Sequence, residues 1–211
     1  MSYIQENRAI AGETLKKKFA KRGMDAFYCG TKEEAKELIL SMIPEGASVT
    51  WGGCESMKEA GVCDAIQEGN YDFIDRKTAK TPEEARALYG KIVCADYFLT
   101  GTNAFTKEGE LVNVDGASNR VACIAHGPAH VIVLASMDKL CADIPQAYDR
   151  IRTHAAPPNA LRVNVSTPCA KTGVCGDCLS PDCICCQILV TRYSRVPGRI
   201  TVVLCGEKLG F

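Results

Sequence analysis

Apolar positions along the chain switch repeatedly between helical and strand spacing. Residues 1–22 form an amphipathic helical pattern with Ile4, Leu15 and Phe19 among its apolar positions, closed by Gly23. Ala26 to Cys29 is short and strand-like. Thr31 followed by Glu34 predicts a capping box, and Ala35, Leu38, Ile39 and Met42 then recur at i, i+3, i+4 and i+7 until Pro44 and Gly46 stop the helix. Ala47 to Trp51 reads as a strand broken by Gly52 and Gly53. A helix from Ser56 to about Gln67 and a short strand at Tyr71–Ile74 follow. Thr81-Pro82-Glu83-Glu84 is a second helix start, with an N-cap Thr, a first-turn Pro and Glu at N3, and that helix is expected to close at Gly90. Lys91 to Thr100, Leu111 to Val114, His130 to Ala135 and Arg199 to Leu204 read as strands, and Asp143 to His154 as a helix.

Helices alternating with strands imply an α/β fold, a parallel sheet covered on both faces. The clearest shift in composition is at Pro157–Cys186, where turn residues and cysteines crowd together, and it reads as a Cys-rich loop on one domain spanning 1–211. With 211 residues the chain is long enough for a full core. Its 25 basic and 25 acidic residues cancel, which argues against a nucleic-acid partner, and 46% hydrophobic content argues against a disordered regulator. No segment has the apolar length of a membrane span, and the first residues lack the apolar core of a secretory signal. A cytoplasmic location is therefore expected. In a reducing compartment, thirteen cysteines are better read as thiols or metal ligands than as disulfides.

The densest chemical signal is TPCAKTGVCGDCLSPDCICC, with Cys169, Cys175, Cys178, Cys183, Cys185 and Cys186. Cys175 and Cys178 form a CxxC pair whose thiolates can reach one metal, Cys169 precedes it, and Cys183 or Cys185 could close the site. Zinc and an iron–sulfur cluster both accept four thiolates, and redox thiols or a disulfide, or cysteines that only fill a compact loop, are the alternatives. The other seven cysteines suit small buried hydrophobes.

Three further segments carry polar groups suited to a small ligand. In Thr50–Ser56, a strand, Gly52-Gly53 and a helix start at Ser56 offer free backbone N–H groups to a phosphate or carboxylate, though an ordinary turn uses the same letters. Thr100-Gly101-Thr102-Asn103 lies at the carboxyl end of a strand, where α/β sheets collect ligands. Glu110, Asn113, Asp115, Asn119 and Arg120 are able to orient a polar substrate or, equally, to build a hairpin turn with the Arg anchored to an Asp. His126, His130 and His154 are each more simply structural. No GxSxG, P-loop, GxGxxG or HExxH is present.

TGTNAFTKEGELVNVDGASNRVACIAHGPAHVIVLASMDKL, AAPPNALR, TPCAKTGVCGDC and PGRITVVLCGEKLGF together resemble the LUD-domain family, lactate-utilisation proteins of the C-type kind, from about residue 8 to the end. The resemblance implies a three-layer fold like that of ribose-5-phosphate isomerase, glucosamine-6-phosphate deaminase and the CoA transferases. It also implies a ligand pocket among Gly52-Gly53, Thr100–Asn103 and Glu110–Arg120, with Glu110 and Asp115 as the carboxylates carried over. The Cys-rich pattern it implies places ligands at Cys169, Cys175, Cys178 and Cys185; Cys183 and Cys186 depart from it and leave the fourth ligand open. The implied role is in lactate or small organic-acid oxidation, alone or with other lactate-utilisation subunits, with an iron–sulfur cluster or zinc at the thiols. The alternatives are a stand-alone enzyme acting on a phosphorylated or CoA-linked small molecule, with Glu110, Asp115 and Arg120 catalytic, and a non-catalytic subunit or regulator. A homodimer is expected from the prevalence of two-fold dimers.

Overall fold

The computed structural model describes residues 2–211 as a three-layer α/β fold. Six parallel strands run in the order β1 (Asp25–Cys29), β10 (Ile200–Cys205), β7 (His130–Ser136), β4 (Tyr97–Gly101), β2 (Ser48–Trp51) and β3 (Asp72–Phe73). Because side chains alternate along a strand, β7 feeds two cores at once. Val131, Val133 and Ala135 meet α1 (Tyr3–Lys21), α5 (Pro82–Val93) and α6 (Asn119–Ala125) through Phe19, Ile92 and Ile124. Ile132 and Leu134 face the other way, onto α2 (Lys32–Ser41), α3 (Glu55–Glu59) and α4 (Val62–Glu68), against Ile39, Met57 and Ile66. This explains the nearly unbroken apolar run of that strand: both faces are covered.

A second sheet stands on the carboxyl side, in the order β8 (Leu140–Cys141), β5 (Ala104–Thr106), β6 (Leu111–Asp115) and β9 (Gln187–Thr191). It packs through Val112 and Val114 on Ala147 and Ile151 of the helical segment that starts with α7 (Ile144–Arg150). That segment passes through a π-helical turn, Ile151–Ala155, into α8 (Ala156–Arg162), and α9 (Pro168–Thr172) follows. Pro157 and Pro158 have no N–H to offer the carbonyls four residues back, and the ladder widens instead to a bond from the Ala156 N–H to the Ile151 carbonyl.

Local structure departs from the sequence reading in several places. Helix α5 runs through Gly90 to Val93, so the strand expected from Lys91 begins only at Tyr97; burial of Ile92 offsets the roughly 1 kcal/mol a mid-helix Gly costs. The helix expected over Ser56–Gln67 is two, divided at Gly61, whose φ of 70° no continuous helix accepts. Asn113 to Asp115 lie in β6 rather than in a hairpin turn. Part of the expected Cys-rich loop is helical, in α8 and α9.

Candidate functional site

With every strand of the large sheet parallel, their carboxyl ends share one edge. The segments after β2, β4, β7 and β10 converge there on a cavity of about 340 Å³, closed from the side by β6, α6 and α8. Gly53 and Ser56 reach it from the first of these segments, Gly101, Thr102 and Asn103 from the second, and Asp115, Asn119 and Arg120 from β6 and α6. Thr100 and Gly52 lie just behind the lining. Thr100 is fully buried and donates its hydroxyl to the Gly101 carbonyl (3.0 Å). A Cβ at Gly52 would lie 2.9 Å from Arg120 Cδ, so only glycine leaves Arg120 its place.

Arg120 is held from several sides. Its two terminal nitrogens donate to Asn113 Oδ1 (2.8 Å), Asn103 Oδ1 (2.8 Å), the Val114 carbonyl (2.7 Å) and the Gly101 carbonyl (3.3 Å). Thus the two asparagines of TGTNA and ELVNVDG serve one guanidinium. Asp115 does not pair with that guanidinium: its Oδ2 accepts the backbone N–H groups of Arg120 (2.9 Å) and Val121 (3.1 Å), capping α6, whose N-cap Ser118 makes no side-chain cap. Of the two readings of this segment, the one that anchors the Arg to an Asp holds only through the Arg120 backbone N–H. The Arg120 charge is surrounded by neutral oxygens, and burial lowers its pKa.

Lys139 is a pocket residue that the sequence reading missed. It ends the 3-10 turn Met137–Lys139 after β7, is 4% exposed, and its ammonium donates to Ser56 Oγ (3.1 Å) and the Thr102 carbonyl (3.3 Å). Among the described residues no carboxylate lies within ion-pair distance of it. Burial lowers its pKa to about 8. Its signal in the sequence was a lone Lys in Ser136-Met137-Asp138-Lys139-Leu140, directly after HVIVLA. Cys54, also on the lining, accepts the Met57 N–H through Sγ (3.4 Å), and burial raises its thiol pKa. Arg76 and Arg162 stand at the mouth, Arg162 pairing with Glu55 at 3.3 Å. The lining therefore carries four cationic side chains against Glu55 and Asp115, and it suits an anion.

Glu110 is placed elsewhere. It pairs with Arg22 (3.0 Å) and accepts from Thr106 Oγ1 (2.7 Å), joining α1 to the small sheet, outside the pocket. His126, His130 and His154 are exposed and do not line it; His130 stacks on Tyr97 at 4.8 Å.

In the cysteine-rich segment, Cys185 lies within charge range of Cys183, Cys175, Cys169 and Cys178, and burial together with these thiols pushes its pKa up to about 12. Cys178 is lowered by hydrogen bonds from Ser180. Arg152, on the π turn, donates to Cys175 Sγ (3.5 Å) and pairs with Asp177 (3.3 Å). Among the described residues no three His, Cys, Asp or Glu side chains converge as ligands on one point. Of the scattered cysteines, Cys29, Cys63, Cys123, Cys141 and Cys205 are buried, whereas Cys94 is exposed.

Among the described residues no helix is long and apolar enough to cross a membrane. A DUF162 family protein from Deinococcus radiodurans matches in structure over 94% of this chain and 98% of its own, with a TM-score of 0.56 and 12% identity, a likeness of fold. Ribose 5-phosphate isomerase A from Neisseria gonorrhoeae (TM-score 0.36, 11% identity, 54% of each chain) and eIF2B delta from Chaetomium thermophilum (TM-score 0.38, 18% identity, 53% of this chain and 48% of that one) are similar over about half the chain. No protein of curated description matches the sequence. The LUD domain family model matches residues 12–205, and the chain belongs to the LUD-domain family.

Proposed function

We propose that this LUD-domain chain serves lactate or small organic-acid oxidation by holding a small organic anion between Arg120 and Lys139. The observation that carries the reading is the pair itself: two cations, one fixed by neutral oxygens and one 4% exposed, line one cavity, and among the described residues no carboxylate pairs with either. A buried charge without a counter-ion is costly, and an anionic ligand removes that cost. Gly53 and Ser56, Thr102 and Asn103, and Asn119 would surround the ligand. Asp115 acts as the cap that orients Arg120, and Glu110 as a strut.

The thiols of Cys169, Cys175, Cys178 and Cys185 suit a metal ion or cluster in kind, being four soft donors in one segment with Cys185 in charge range of the other three. An iron–sulfur cluster there would supply single-electron transfer to or from a partner dehydrogenase, and zinc would pin the segment. A second reading, an enzyme acting on a phosphorylated or CoA-linked substrate, draws on Arg76 and Arg162 at the mouth, where a larger anion would meet them.

Thermal shift with lactate, pyruvate, sugar phosphates and CoA tests both. A ligand at a hundred times its Kd contributes about 2.7 kcal/mol, a shift of several degrees for a chain of this length. A shift with lactate or pyruvate is expected. A shift confined to sugar phosphates or CoA moves the assignment to the second reading, and no shift with any of them overturns both.

A further inference from the structure

With its four terminal N–H groups already donated to protein oxygens, Arg120 offers a carboxylate mainly its charge, so the buried Lys139 across the same cavity needs its own explanation. Arginine is the residue suited to a permanent buried charge; lysine is a compact ammonium on a flexible stem that becomes a nucleophile once it loses its proton. The groups around Lys139 favour that loss. Its nitrogen has two neutral oxygen acceptors, Ser56 Oγ at 3.1 Å and the Thr102 carbonyl at 3.3 Å, and among the described residues no carboxylate lies within ion-pair distance, Glu59 acting only from further off. The Ser56 hydroxyl in turn donates to the Leu209 carbonyl (3.3 Å), which fixes its oxygen towards the amine. The last glycine, Gly210, has φ +60°, and a Cβ there would lie 3.3 Å from the lysine nitrogen and 2.7 Å from Ser56 Oγ. The backbone thus closes on the amine from that side and leaves the cavity as its open face.

We propose that Lys139 forms a reversible imine with the carbonyl carbon of a small 2-oxo acid whose carboxylate lies against the Arg120 charge. The proposal rests on the organic-anion reading of this pocket and adds a covalent step to it. The neutral amine attacks the C2 carbon, a C–N bond forms and the carbonyl π pair moves to oxygen. A proton passes from nitrogen to that oxygen, a second proton from solvent joins it, and water leaves, so that amine, ketone and one proton become iminium and water. Nothing is oxidised or reduced. Burial lowers the Lys139 pKa to about 8, which favours the neutral, nucleophilic amine near neutral pH. Ser56 is a positioning residue in this scheme.

Incubation of the full chain with pyruvate and cyanoborohydride, followed by intact mass and peptide mapping, tests the imine. One reduced adduct per chain on the peptide carrying Lys139 is expected, blocked by excess lactate and absent from Lys139→Arg, which keeps the charge. Ser56→Ala is expected to slow adduct formation several-fold at saturating pyruvate, where weaker binding no longer limits the rate. Pyruvate binding without an adduct, or adducts spread over the surface lysines, overturns the imine and leaves the anion pocket standing. Failure of pyruvate and lactate to bind at all overturns the imine and the pocket reading together.

Discussion

The backbone N–H of Cys186 donates to the carbonyl of Asp115 at 3.0 Å, and through this bond the cysteine-rich segment forms one wall of the anion pocket. Ile184, between Cys183 and Cys185, lines the cavity, and a Cβ at Gly116 would lie 3.0 Å from its Cα. Loading of the thiols and occupancy of the pocket are therefore expected to be linked. Cys175→Ser should abolish metal stoichiometry in anaerobically purified protein, and chelation should weaken the lactate thermal shift of the parent. Unchanged metal content in Cys175→Ser would sink the ligand assignment.

Gly52→Ala brings a methyl group to 2.9 Å from Arg120 Cδ. The guanidinium must move off Asn103 and Asn113, with a loss of about 1–3 kcal/mol in stability from overpacking. Anion affinity should fall at least roughly tenfold, the equivalent of about 1.4 kcal/mol, read by calorimetry. A variant that binds as the parent does would place the anion away from Arg120.

Asp115 caps α6 with one oxygen, and this separates capping from acid–base chemistry. Asp115→Asn keeps an acceptor for the N–H groups of Arg120 and Val121, so it should fold and bind anions at least as well as the parent, one negative charge having left the lining. Asp115→Ala should lose about 1–2 kcal/mol by chemical denaturation. A large loss of anion binding in the Asn variant with its fold intact would return Asp115 to a direct role.

Glu110→Gln is expected to leave ligand binding and imine formation untouched. Its carboxylate is partly exposed and pairs with Arg22, so the change should show only as a stability loss of about 1 kcal/mol. Any effect on pyruvate binding beyond that would contradict its placement outside the cavity.

The pH dependence of Lys139 has opposite signs in two measurements. Its folded pKa, about 8, lies below the free-lysine value because of burial and the facing Arg150 and Arg120, with Cys54 and Glu59 acting the other way. Below about 8 the amine is charged in folded and unfolded chains alike. Above it the folded chain releases a proton that the unfolded chain keeps, so this group's contribution to stability rises with pH from about 8 towards the free-lysine value. Anion affinity should decline over the same interval, as the ammonium is lost, while the rate of imine formation at saturating pyruvate should climb from pH 6 to 8. An adduct rate flat over that range would contradict Lys139 as the amine. Lys139→Met, which removes a buried unpaired charge, should melt close to or above the parent.

Much of the large sheet was legible because local chemistry agreed with the fold. At α5 the full capping box forms between Thr81 and Glu84. At α2, Thr31 caps as expected, but the Glu34 carboxylate reaches one residue further back, to the Gly30 N–H at 2.7 Å. What could not be read was set by distant partners. Helix α6 has no start signal, because its N-cap, Ser118, sits at φ 65° and the capping oxygen comes from Asp115. Strand β5 is three residues long and exists because β6 and β8 flank it. The TGTNA and ELVNVDG motifs were visible as polar clusters, but their shared client, the Arg120 guanidinium, needed the fold. Glu110 was drawn towards the site by its place beside those motifs, and its side chain turns to α1 instead.

The π turn at Ile151–Ala155 makes chain length inside one helix a determinant of the site. Within the widened turn, Arg152 reaches the cysteines; downstream, Asn159 and Arg162 face the anion pocket. The widened turn absorbs its extra residue locally and keeps Arg162 in phase with the mouth, whereas adding or removing a residue in the regular turns on either side would rotate everything after it by roughly 100° about the axis. A substitution here trims one group, whereas a deletion in the regular turns beyond it dials the two halves of the helix out of phase and disengages the pocket from the thiols in a single step.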